Sequence, residues 1–123
     1  MPIKSAWSYF YGIAEQKEQE MQYTELLTPE MQETLKLAGY DTPTPIQEQS
    51  LETLLNNEDL IGIAQTGTGK TAAFAVPIIE RINLENKKPQ ALILCPTREL
   101  ALQTTAVFKK LSPHKKIRTV SIY

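Results

Sequence analysis

Residues 59–74 read DLIGIAQTGTGKTAAF, an apolar run that passes through a glycine-rich turn into a helix-forming stretch. No other feature restricts the fold as much. A loop in this position turns its backbone N–H groups inward, and the following helix adds the positive end of its dipole, so the arrangement favours an anion. The phosphate-loop pattern asks for glycine, four residues, then Gly-Lys-Ser/Thr. Here Ala64 takes the first place, Gln65, Thr66, Gly67 and Thr68 the next four, and Gly69, Lys70 and Thr71 match. Ala64 ends the incoming strand, where a methyl group is tolerable on extended backbone; Gly67 and Gly69 sit where backbone freedom matters. Lys70 then reaches the β- and γ-phosphates as a point charge, and the Thr71 hydroxyl takes Mg²⁺. The competing reading, a bare glycine-rich turn beside a surface lysine, leaves the consecutive Gly-Lys-Thr between strand and helix unexplained.

The pattern around the loop alternates. TPEMQETLKLAGY from Thr28 reads as a short amphipathic helix, with a cap, Pro29 at the first helical position and a terminating Gly39. A second helix starts at Thr44 and Pro45 and ends in NNED; a third runs from about Lys70 to Asn83 despite Pro77. LIGIA, ALILC and IRTVSIY read as strands, and TRELALQTTAVFKKL as a helix between the last two. Such alternation implies an α/β fold, a parallel sheet with helices on both faces. Residues 1–22 form a polar N-terminal extension; the folded part begins near Tyr23.

Composition bounds the function. With 41% hydrophobic and 22% charged residues the chain is globular, and a formal charge of −1 gives no overall basic field. Nucleic-acid binding therefore has to be local. The single Cys95, in ALILC, excludes an internal disulfide and reads as a buried thiol in a reducing compartment. No run approaches the roughly 20 apolar residues that span a bilayer, and Ser8 and Gly12 interrupt the one signal-like stretch, so the chain reads as cytoplasmic with no membrane partner. HKKIR, residues 114–118, reads as a solvated turn, and His114 has no cluster that suggests metal or acid–base chemistry.

Two further segments allow two readings each. In GYDTPTPIQ, Thr44 and Gln47 have the spacing of a capping box; alternatively the Gln47 amide offers a donor and an acceptor to an adenine edge, which guanine would mismatch. In PTREL, Thr97 caps a helix and Glu99 suits its N-terminus; alternatively Thr97 and Arg98 meet a sugar-phosphate backbone.

GYDTPTPIQ, AQTGTGKT and PTRELALQ stand in the order and approximate spacing of the Q motif, motif I and motif Ia of the DEAD-box RNA helicases, which the chain resembles from Tyr23 to Tyr123. Motif I with alanine first is that family's usual form. The resemblance implies an incomplete RecA-like P-loop NTPase domain, residues 23–123, that holds ATP and Mg²⁺. It implies that Gln47 reads adenine, that Tyr23 stacks on the base, and that Pro96, Thr97, Arg98 and Glu99 meet RNA with little sequence preference. Asp-Glu-Ala-Asp and Ser-Ala-Thr do not occur in the sequence. The resemblance places their strands between LIGIA and ALILC, and arginine fingers on a second RecA-like domain. A non-catalytic ATP- or RNA-binding module is the alternative; a P-loop kinase or GTPase would make both flanking motifs accidents.

Overall fold

The computed structural model describes residues 23–65, 67 and 69–123, so the extension over 1–22 and the loop positions Thr66 and Thr68 lie outside the described residues. From Pro29 onward the helices are α1 (Pro29–Leu37), α2 (Pro45–Leu55), α3 (Lys70–Arg81) and α4 (Arg98–Leu111). Among the described residues none is long and apolar enough to cross a membrane.

Helix boundaries follow from local chemistry. The Thr28 hydroxyl accepts from the Met31 N–H at 3.4 Å and starts α1. At its other end Gly39 is left-handed, with φ 84°, which lets Tyr40 N–H donate to the Leu35 carbonyl at 2.8 Å and Gly39 N–H to that of Lys36 at 3.2 Å. α2 ends the same way, with Asn57 at φ 62° in place of glycine. Asparagine tolerates that conformation better than most residues, and its Oδ1 accepts from Arg81 at 2.8 Å. α3 stops at Arg81, short of Asn83, because Ile82 turns extended and the Gln90 side chain accepts from the Asn83 N–H and donates to its carbonyl.

The helices share one core. Met31 and Leu35, Leu51, then Ala72, Ala75, Val76 and Ile79, then Phe108 and Leu111 meet there, joined by Tyr23 and Leu27. Alanines on α3 let it fit between α2 and α4, both of which it contacts. Tyr23 is 5% exposed, a side chain of this core. Burial pushes its hydroxyl up from 10.0 to about 12, with the Glu48 carboxylate adding in the same direction.

Polar contacts fasten the helix ends together. Glu80 accepts from both the N–H and the hydroxyl of Thr28, each at 2.9 Å. The expected solvated turn at 114–118 is partly an anchor. Lys115 Nζ donates to the Ile79 and Glu80 carbonyls at 2.7 and 3.2 Å, closing the C-terminus of α3, and His114 Nδ1 lies 2.7 Å from the Thr34 hydroxyl on α1. Lys116 and Arg118 are exposed.

LIGIA, ALILC and IRTVSIY form no β-ladder among the described residues, so the expected sheet covered on both faces is not seen in them. Their side chains still alternate with the period of a strand. Ile93 and Ile117 pack on the helical core, whereas Ile61, Ile63, Leu92, Leu94, Val120 and Ile122 are exposed. The physical reason is pairing: a strand's N–H and C=O groups need a neighbouring strand, and the resemblance puts two others between LIGIA and ALILC. Cys95 is half-buried, its Sγ 3.8 Å from the Thr104 hydroxyl.

Two stability tests follow. The folded-state value of Tyr23 lies above its unfolded one, so the unfolded chain loses that proton first. Stability is intact below about pH 10 and falls by about 2–3 kcal/mol as the pH climbs towards 12; urea unfolding across that range should show the fall, and Tyr23→Phe should flatten it. Lys115→Met should lower the unfolding free energy by about 1–2 kcal/mol, while Lys116→Met stays within about 0.5 kcal/mol.

Candidate functional site

The phosphate loop is built by backbone conformation first. Gly67 and Gly69 have φ values of 81° and 80°, both left-handed. Gly69 also caps α3, whose first residues are Lys70, exposed, and Thr71, half-buried. N–H groups at this helix start have no intrahelical partner and face the loop. Ala64 is half-buried and Gln65 exposed at the loop's entrance.

Gln47 reaches this loop from α2. Its Nε2 donates to the Gly69 carbonyl at 3.2 Å, and its Oε1 accepts from the Thr44 N–H at 3.1 Å. Both readings of Thr44 and Gln47 thus converge on one place. The capping-box arrangement is present, with the Gln47 half its well-formed bond; Thr44 Oγ1 is buried without a close partner. Gln47 is 3% exposed, and each end of its amide keeps one further hydrogen-bonding position.

Gly69 cannot be replaced here without disturbance. A Cβ on it would overlap Gln47 Nε2 and lie 3.2 Å from both Cγ2 and Oγ1 of Thr44, whereas one on Gly67 would meet nothing within 4 Å. The local pattern showed the Thr44–Gln47 pairing but gave no sign that Thr44 abuts the loop.

Pro96, Thr97, Arg98 and Glu99 are all exposed at the start of α4. Thr97 caps the helix, accepting from the Leu100 N–H at 3.2 Å. The Arg98 guanidinium lies over the Tyr123 ring, 4.3 Å from its centroid, a partner that sequence reading missed because no local pattern links the two positions. A cleft of about 510 Å³ opens elsewhere, between Leu54, Phe74, Ile78, Arg81 and Pro89; no residue from 64–71 lines it, and it is not the phosphate site. No group of three or more His, Cys, Asp or Glu among the described residues could hold a metal ion.

Gly69→Ala should lower the unfolding free energy by more than about 2 kcal/mol, beyond the backbone penalty alone, and shift the Gln47 side-chain amide resonances. Gly67→Ala should carry only its backbone penalty, about 1–2 kcal/mol, and leave those resonances in place.

The profile of the DEAD/DEAH box helicase family matches residues 44–123. The chain is 47% identical over 104 residues to the ATP-dependent RNA helicase CshA of Limosilactobacillus reuteri, covering 84% of the chain and 21% of that relative. It is 52% identical over 83 residues to the ATP-dependent RNA helicase dhh1 of Aspergillus fumigatus, covering 68% and 16%. It superposes on the RNA helicase Prp28 of Chaetomium thermophilum bound to ADP with a TM-score of 0.71 and 41% identity, over 79% of this chain and 25% of that one. The chain spans about a fifth of the length of these curated relatives.

Proposed function

The chain belongs to the DEAD/DEAH box helicase family, and on that premise we propose that it forms the ATP-binding part of an ATP-dependent RNA helicase that separates short RNA duplexes. The superposition on Prp28 gives it a RecA-like fold; the parallel sheet and a cytoplasmic location belong to the proposal. The observation that carries the reading is the Gln47 bond to Gly69, which joins the adenine-reading segment to the phosphate loop.

In this proposal the ATP phosphates meet the N–H groups at the start of α3, and Lys70 supplies the positive charge. Left-handed Gly67 and Gly69 hold the loop open to them. Ala64 and Gln65 stand at its entrance, and Thr66 and Thr68, outside the described residues, are proposed to join the nucleotide contacts. The free donor and acceptor positions of Gln47 fit the N6 amino group and N7 of adenine, while guanine would set a carbonyl against an acceptor. Tyr23 is assigned the stacking contact on the base. Thr71 would hold Mg²⁺, which supplies charge neutralisation at the β- and γ-phosphates. RNA lies along the α4 N-terminus, where Thr97, Arg98 and the flanking Pro96 and Glu99 offer backbone N–H groups and a guanidinium to phosphate without reading bases.

Cleavage of ATP needs a carboxylate to complete the metal site, a group to orient water and cations on the developing charge. The family resemblance assigns the first two to an Asp-Glu-Ala-Asp motif and the third to a second RecA-like domain, so the proposed catalysis belongs to the longer polypeptide.

The test is RNA-stimulated phosphate release by the full-length protein. Lys70→Ala should reduce turnover by about a hundredfold or more, and Gln47→Ala should weaken ATP binding by about tenfold while narrowing the preference over GTP. Retained turnover in Lys70→Ala, or a preference for GTP, would overturn the reading.

A further inference from the structure

Residues 117–123 run back along α4, and two contacts fix them there. Ser121 Oγ lies 2.5 Å from Thr105 Oγ1. Thr105 has already given its only hydroxyl proton to the Ala101 carbonyl, at 3.0 Å, so Ser121 is the donor. Two residues further on, Tyr123 reaches the first residue of the same helix and lies under the Arg98 guanidinium, 4.3 Å from ring centroid to Cζ. Tyr123 is 71% exposed. Core packing therefore does not explain its position.

We infer that Tyr123 is a positioning residue for Arg98, holding the guanidinium at the N-terminus of α4 where it can meet an RNA phosphate. This rests on the proposed RNA-facing role of residues 96–99. An unsupported arginine on a helix's first turn samples many rotamers, and ordering it on binding is unfavourable. Stacking on an aromatic face uses the flat side of the guanidinium and leaves its N–H edge directed outward. The Ser121–Thr105 bond sets the register that delivers the ring.

Binding of a labelled oligouridylate to the full-length protein, followed by fluorescence anisotropy over a salt series, tests this. Arg98→Ala should weaken binding and reduce the salt slope by about one. Tyr123→Ala should weaken it by about two- to fivefold, with ATP affinity and circular dichroism unchanged. Tyr123→Phe should restore it, because the ring face and not the hydroxyl carries the stack. In an Arg98→Ala background, Tyr123→Ala should add nothing. An equal loss with and without Arg98 would mean that the ring meets RNA by itself, which overturns the inference. No loss in Tyr123→Ala, with a clear loss in Arg98→Ala, overturns the inference and leaves the RNA reading standing. No loss in either variant removes the RNA reading and the inference with it.

Discussion

The hydrogen bond from Gln47 to the Gly69 carbonyl sets the geometry on which the rest of the site depends. It forms only because Gly69 is left-handed and lacks a side chain, so that the amide of α2 can lie against the loop backbone. The same Gln47 side chain holds the first turn of α2 through Thr44. Helix start and phosphate loop are therefore coupled through one amide, and because α2 and α3 pack together, the direction of Lys70 is tied to the position of α2.

Much of the helical layer was legible because its signals are local. Thr28 with Pro29, Thr44 with Pro45 and Thr97 each mark a helix start within a few residues, and Gly39 marks an end. The glycine-rich turn into α3 was legible for the same reason. Asn57 was read only as part of a polar ending, although its left-handed backbone and its bond to Arg81 give α2 a defined stop. Lys115 looked like a member of a solvated basic run, and nothing near it in sequence reveals that its partners are carbonyls at the end of α3. Arg98 and Tyr123 were hidden in the same way. The place of Tyr23 in the core carried no local signal either.

The apolar runs were read as buried strands from composition, but composition does not say what covers each face. One side of each run lies towards the helices, as Ile93 and Ile117 do, and packing there needs only the helical core. The other side needs paired neighbours and a second covering layer. Local chemistry builds the first without the second.

That asymmetry bears on how these 123 residues behave in a tube. Ile61, Ile63, Leu92, Leu94, Val120 and Ile122 face solvent on segments whose backbone groups are not engaged in a ladder, the combination that promotes edge-to-edge association. With a net charge of −1, electrostatic repulsion between copies is weak. Colloidal stability, set by concentration and salt, therefore limits the handling of this segment by itself before the strength of its helical core does.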